Sequence, residues 1–381
     1  MKKPFIFAVL FSLVQNVAAQ SEPASWKLVP DLKIGSLDGP LALSAVLDLT
    51  VSRDGRNLYV AQRADRSIWM FEAGTGRFIR KIGRGGEGPG EFRRLYLLGW
   101  TADTLYATDT DLARVNLFDG SGTYLRAIGH TPVLLPQTRG VTYPIAVVAG
   151  GHLVVQSRLA TKALANGDVV SAPLLLADLD GIVDTIAARD LRGTVGAAAV
   201  GTATVFVHQP MSQRNYIGVD DFGRSVVVVT QPAGMDTPGT FRVERREIDG
   251  TTIFARSFNY TARPVARQLS DSLIAYHATA YERLVTPGRA MEAARRYVTV
   301  PRYHPPITDL VVGRDGTTWL RLEDIGAATV NYLVLDLKGD IQAHVKAPAA
   351  LKVLLIDADK LWGTVQDDLD VPYVVSYRVV Q

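Results

Sequence analysis

The chain has 381 residues, 47% of them hydrophobic and 21% charged, which excludes a disordered polymer. Its 41 Lys and Arg against 38 Asp and Glu leave a formal charge of +3 without a clustered basic stripe, so a nucleic-acid partner is excluded. There are no cysteines, which removes disulfide scaffolds, thiolate zinc sites, cysteine nucleophiles and a lipidated N-terminal cysteine.

In chain order, Lys2 and Lys3 precede an uncharged apolar run from Pro4 to Val14, then the small residues Val17-Ala18-Ala19. This three-part layout is that of a secretory signal peptide over residues 1–19, with the mature chain starting near Gln20. The apolar run is shorter than the roughly 20 residues a membrane span needs, and no later segment supplies one. The expected location is therefore the periplasm or the medium, and the protein is not a lipoprotein.

From residue 24 onward the sequence repeats. A turn followed by a short apolar strand recurs at Arg53–Val60, Ala102–Ala107, Ala149–Val155, Asp221–Val227, Arg314–Leu320 and Asp357–Trp362. A second turn follows five of these copies, at Gly74–Gly76, Gly120–Gly122, Leu179–Gly181, Ile248–Gly250 and Leu337–Gly339. Each second turn separates two strand-like runs and places glycine where a hairpin needs positive φ. Four strands per unit at a spacing of about 45 residues is the pattern of propeller blades. The expected fold is an all-β, six-bladed β-propeller of four-stranded antiparallel blades, forming one domain over residues 20–381. The last copy ends at Tyr373–Val380 without an outermost strand, while Trp26–Gly35 is strand-like and has no partners of its own. The N-terminal strand is expected to complete the sixth blade and remove the open edge.

Between the first and second blades runs Ile82-Gly83-Arg84-Gly85-Gly86-Glu87-Gly88-Pro89-Gly90-Glu91-Phe92, a strand followed by G-x-x-G-x-G-P-G-x-F. Asp109 to Phe118 follows a D-x(n)-R-[IV]-x-[VL]-[FY] pattern, ending Arg114-Val115-Asn116-Leu117-Phe118. These segments resemble the blade junctions of NHL-repeat propellers, and the mature chain resembles the bacterial exported six-bladed propellers with NHL-like repeats. The specific match covers about residues 40–130; blades three to six keep the turns and lose the junction motif. The resemblance implies a scaffold, a ligand-binding module or, in a few members, a lyase or hydrolase, and so leaves activity open.

With strands a to d counted from the axis outward, the b–c and d–a connections share one face. All the long insertions fall there: Leu159–Ser171, Arg189–Arg214, Gln231–Thr240 and Thr261–Pro306. Such loops on one face mark a working surface. The last insertion, 261–306, is expected to be partly helical. Ser270 would cap a helix with Leu273, Tyr276, Ala280 and Leu284 on its apolar stripe; Thr286-Pro287 would start a second one, through Met291, Ala294 and Tyr297.

The same face is expected to hold Arg63, Asp65, Arg84, Glu87, Arg94, Asp111 and Arg114, a mixed ring able to fork an anionic or zwitterionic ligand. Glu91 and Asp109 sit inside the repeat pattern and are expected to be structural. His130, His208, His277 and His304 fall in the insertions or junctions, and His304 joins the candidate ligand contacts. No pair of histidines has a ligand spacing such as HxxxH or HExxH, no GxSxG elbow or SxxK is present, and Asp367-Asp368-Leu369-Asp370 lacks the EF-hand pattern. No metal or cofactor is therefore expected. The expected function is a non-catalytic binding or protein-interaction module acting through the b–c/d–a face, with a peptide, protein or small molecule as partner, and a monomeric state. The alternative is a lyase or hydrolase with a histidine- or metal-based site at the channel mouth.

Overall fold

The structure is a computed structural model. It describes residues 23–381 except 38, 40, 179–180, 233–238, 323–327 and 358. The expected signal peptide, two of the three residues of the Leu179–Gly181 turn and most of the Gln231–Thr240 insertion lie outside the described residues.

The chain folds as a six-bladed β-propeller. Blade 1 consists of β2 (Val46–Val51), β3 (Asn57–Gln62), β4 (Ser67–Glu72) and β5 (Phe78–Ile82), after the leading strand β1 (Ala24–Ile34). Blade 2 is β6 (Leu95–Thr101), β7 (Thr104–Asp109), β8 (Arg114–Phe118) and β9 (Tyr124–Gly129). Blade 3 gains a short inner strand, β10 (Leu134–Leu135), ahead of β11 (Gly140–Val147), β12 (Leu153–Ser157), β13 (Ser171–Ala177) and β14 (Ile182–Asp190), with helix α1 (Thr161–Ala165) between β12 and β13. A separate hairpin follows, β15 (Val195–Val200) and β16 (Ala203–His208). Blade 4 is β17 (Asn215–Val219), β18 (Ser225–Thr230), β19 (Thr240–Glu247) and β20 (Thr252–Asn259). Helices α2 (Arg267–Tyr281) and α3 (Pro287–Tyr297) lead to blade 5, β21 (Ile307–Val312), β22 (Thr318–Leu322), β23 (Thr329–Leu335) and β24 (Ile341–Pro348). Blade 6 is β25 (Lys352–Asp357), β26 (Lys360–Gln366), β27 (Pro372–Val380) and β1.

Each blade buries β-branched and aromatic residues on both faces of its middle strands, because it is sandwiched between two neighbours. Leu58, Tyr59, Val60 and Ala61 of β3 are all fully buried. β1 closes the ring as expected, running antiparallel to β27 with Leu28 opposite Val379 and Lys33 opposite Val375. It does more than that. Its first residues also pair in parallel with β24, Trp26 opposite Val345, so blades 5 and 6 form one eight-stranded sheet. Trp26 is buried there, 6.2 Å from Trp319 between ring centroids.

The junction motif has a local cause. Arg114 donates from one nitrogen to the Gly88 and Glu91 carbonyls at 2.8 and 2.9 Å, and Asn116 donates to the Glu91 carbonyl at 3.1 Å. The Gly-rich loop and the Arg-x-Asn strand are thus two halves of one interlock between blades 1 and 2. Gly83 sits at φ +69°, and a Cβ there would lie 2.5 Å from the Phe92 ring and 2.6 Å from the Gly90 carbonyl.

The helical insertion forms, with two corrections. α2 begins at Arg267 with Ala266 in the cap position, so Ser270 lies inside the first turns and caps nothing. Nothing after Pro264 breaks the helix before Ser270, and Ser270 donates its own N–H to the Ala266 carbonyl at 3.0 Å. The apolar face is also turned. Tyr276 is 75% exposed and Ala280 is exposed, while Ala278 and Tyr281 are buried. The unexpected hairpin β15–β16 causes this: Ala198, Val200 and Val207 pack with Ala278, Tyr281, Ala290 and Ala294 into a satellite core. α1 joins the same layer, since Ala163, Leu164 and Val169 pack on Val195. Three insertions therefore form one continuous cap.

Candidate functional site

The six innermost strands surround an axial channel whose two ends differ. At the tight-turn end, Arg314 is 7% exposed and lies after β21. Its guanidinium meets Asp221 at 2.5 Å, the Thr50 hydroxyl at 2.7 Å, the Val51 carbonyl at 2.5 Å and Asp357 at 3.3 Å. Thr50 donates in turn to Asp221 at 3.3 Å, and the Phe222 ring lies 5.4 Å from the guanidinium. One arginine thus ties blades 1, 4, 5 and 6 together at the axis. Burial holds the Asp221 carboxyl above its ordinary range even though Arg314 and Thr50 pull it down.

Along the wall, five of the six innermost strands shift register midway: β2 at Val46/Asp48, β6 at Leu95/Leu98, β11 at Pro144/Ala146, β21 at Ile307/Asp309 and β25 at Val353/Leu355. A bulge re-aims side chains. Here it accompanies Leu97, Ile145, Asp309 and Asp48 on the channel wall, with Lys352 from the start of β25. Asp48 accepts from the Leu98 N–H at 2.8 Å, and burial raises its pKa to about 7. Asp309 accepts from the Leu310 N–H at 2.9 Å, and burial raises it too, against Lys352 and Arg321.

At the other end the channel widens under the cap. A neck of about 410 Å³ is lined by Tyr96, Tyr143, Gln156, Arg189, Gln213, Tyr216 and Asp309. It shares Tyr143, Arg189, Gln213 and Tyr216 with a mouth cavity of about 740 Å³. The mouth is walled by Leu164 of α1, Val195 of β15 and His208 of β16, by Ser157 and Arg158 of blade 3, and by Asn215 and Tyr216 of blade 4. Its polar groups are held in place. Arg189 donates to Gln156 Oε1 at 2.7 Å, and Gln156 Nε2 donates to the Tyr143 hydroxyl at 2.7 Å, whose pKa burial raises. Gln209 ties the hairpin to the end of α3, accepting from the Thr299 N–H at 2.7 Å and donating to the Tyr297 carbonyl at 3.0 Å.

The residues expected from the sequence lie elsewhere on the same propeller. Asp65 is paired with Lys81 at 2.7 Å; burial raises it, and Lys81 and Trp69 more than offset this, leaving it below its usual range. Arg84 pairs with Glu91 at 2.7 Å, and Glu87 with Arg93 at 3.2 Å. Arg63 is exposed on the rim. Arg114 is spent on the junction loop. Asp109 is buried and accepts from the backbone N–H groups of Arg93, Arg94, Asp111 and Leu112. Only Asp111 reaches the mouth, through Arg158 at 2.6 Å, with Arg94 at 3.9 Å from it. The histidines separate likewise. His130 is buried against the Thr142 hydroxyl at 2.6 Å. His208 lines the mouth, and burial and the neighbouring His208 lower the pKa of His277 on α2. His304 lines a different groove, of about 300 Å³, with Phe241, Phe258 and Tyr260 between blades 4 and 5. Among the described residues no three His, Asp or Glu side chains converge as a metal site would require. No helix among them is long and apolar enough to cross a membrane.

The residues sequence reasoning passed over are Tyr143, Arg189, Tyr216, Asp48, Asp309, Lys352 and Arg314. Arg189 and the segment around Tyr216 do flank the Arg189–Arg214 insertion, which is a usable signal; the charged residues of the innermost strands carry none.

A family model for the DUF5128 family, described as a 6-bladed beta-propeller, matches residues 48–98. No curated protein matches this chain. Among solved structures, the chain is similar to a member of the duf4221 family from Bacteroides vulgatus, at 9% identity and a TM-score of 0.48, over 93% of this chain and 98% of that one. It is similar to a candidate exported protein from Bacteroides fragilis, at 12% identity and a TM-score of 0.47, over 94% and 99%. It is also similar to a PQQ-bound aldose sugar dehydrogenase from Streptomyces coelicolor, at 13% identity and a TM-score of 0.43, over 94% and 99%.

Proposed function

We propose that this propeller is an exported, non-catalytic binding module whose ligand enters at the capped mouth of the channel, on the b–c/d–a face. One observation carries the reading: the mouth cavity of about 740 Å³ runs into the neck beneath it, and the cap built from three separate insertions walls it. A pocket of this size, with a few fixed polar groups among aromatic walls, is the usual form of a small-ligand site. At the opposite end Arg314 is bonded to Asp221 at 2.5 Å and lies 5.4 Å from the Phe222 ring. Export rests on the leader over residues 1–19.

A thermal-shift screen of the purified mature chain against a library of small polar metabolites tests the binding site. At least one compound is expected to raise the melting temperature, and Tyr216→Ala is expected to abolish that shift while the exposed Lys338→Ala on the tight-turn face preserves it. Hits indifferent to Tyr216→Ala, or turned over to a new product on incubation with the protein, overturn the reading. N-terminal sequencing of the protein from the exported fraction is expected to begin near Gln20. Recovery of the intact Met1 chain from the cytoplasm refutes export.

A further inference from the structure

The channel holds charged groups that do not cancel in pairs. At the neck, the Arg189 guanidinium bonds to the neutral Gln156 amide, and among the described residues no carboxylate lies within 4 Å of it. At the deep end, Asp48 of blade 1, Asp309 of blade 5 and Lys352 of blade 6 line one cavity, and none of the three is ion-paired within 4 Å among the described residues. The other two carboxylates of that cavity are paired, Asp220 with Arg224 at 3.7 Å and Arg245 at 3.8 Å, and Asp221 with Arg314 at 2.5 Å. Below, Asp48 and Asp309 lie in the field of Lys352, with Arg321 acting on Asp309 as well, and above them the Arg189 guanidinium faces the same space without a carboxylate of its own. Asp309 also lines the neck, so the opposite charges border the same space of about 410 Å³. The same wall carries Gln156, Gln213, Tyr143 and Tyr216 beside Ile145, Ile217 and Leu310.

A simple anion that reached Arg189 would share the neck with Asp309, and a simple cation would have to pass Arg189. A molecule bearing both charges suits both ends. We propose that the channel binds a small organic zwitterion of the amino-acid type, its anionic group forked by Arg189 at the neck and its cationic group turned down toward Asp309 and Asp48. Arginine is the residue fitted to this task, because its planar fork matches a carboxylate with two parallel bonds. Gln156 and Tyr143 hold that fork in place before a ligand arrives, which lowers the ordering cost of binding. The rings of Tyr143 and Tyr216 at the neck then flank the ligand body.

This inference rests on the mouth being a ligand site, and the experiment separates the two. Isothermal titration of the mature chain uses the free α-amino acids, glycine betaine and taurine, each amino acid beside its N-acetyl and its amide form. At least one zwitterion is expected to bind, with the N-acetyl and amide forms at least tenfold weaker. Arg189→Gln and Asp309→Asn are each expected to weaken it at least tenfold while the melting temperature shows the variants folded. Absence of binding by every zwitterion, equal binding by a blocked form, or indifference to both substitutions overturns the proposal. If library compounds still depend on Tyr216 in that case, the mouth remains a binding site and only its ligand class is wrong; if none does, the mouth reading falls with it.

Discussion

Replacing Arg314 by leucine removes a cation that serves four blades at the axis. The side chain is almost wholly buried, and so is its partner Asp221, with side-chain exposures of 4% and 12%. Taking one partner from a buried pair leaves an uncompensated charge, which costs about 3–5 kcal/mol. The hydroxyl of Thr50 and the Val51 carbonyl lose their donor as well, so the upper part of that range is expected. Asp221, already raised by burial, then takes up a proton closer to neutrality. For a chain of this length the unfolding entropy is about 0.75 kcal/mol/K, so the melting temperature should fall by roughly 4–7 K. Urea denaturation followed by tryptophan fluorescence measures the change directly. The decisive control is Arg314→Leu with Asp221→Leu, because exchanging both members of a buried pair for apolar residues is often neutral. The double variant is expected to recover most of the lost stability. A single variant costing under about 1 kcal/mol, or a double variant whose cost equals the sum of the two singles, would refute the view that Arg314 is an electrostatic clamp.

Three further outcomes follow from the same geometry. Asp48 is raised from 3.8 to about 7, so the folded state holds its proton more tightly than the unfolded chain, and that stabilisation is lost as pH rises. Stability should fall between about pH 4 and 7, at most about 1.4 kcal/mol per pH unit, and Asp48→Asn should flatten the slope in urea melts; Lys352, Asp221, Asp309, Tyr106 and Arg314 face or neighbour the group, so a slope unchanged in the variant assigns it to them. Trp26→Ala should cost about 3–5 kcal/mol by the same assay, because the indole is buried where β1 joins blades 5 and 6, and a loss under about 1 kcal/mol would mean β1 contributes little to closure. Gly83→Ala should cost about 2–4 kcal/mol, since it combines a left-handed backbone with contact against Phe92 and the Gly90 carbonyl; a wild-type midpoint would show that the junction yields.

The site was legible only in part. The face was readable because insertions are visible as departures from a repeat, and the mouth cavity is built from Leu164, Val195 and His208 of those insertions. The individual residues were not. Arg84, Glu87, Arg94, Asp111 and Arg114 stand out in sequence because the blade 1–2 junction is rich in charge, yet their charges are largely spent on one another and on the Gly88 and Glu91 carbonyls. The helix pair was expected, but its buried face was not, since the partner that selects Ala278 and Tyr281 over Tyr276 is a hairpin some 70 residues earlier in the chain.

The blades, their number and the closing role of the first strand are carried by local pattern. A hairpin turn and its two strands are set by residues within a few positions of each other, so alternation and glycine placement announce them wherever they occur. What lies on the axis is different. Asp48, Asp221, Asp309, Arg314 and Lys352 are up to about 300 positions apart and meet only because ring closure brings six inner strands together. The aim of Asp48 and Asp309 goes with the midway register shifts of β2 and β21, and a one-residue shift turns a side chain from the blade interior to the channel without leaving a mark in composition or spacing.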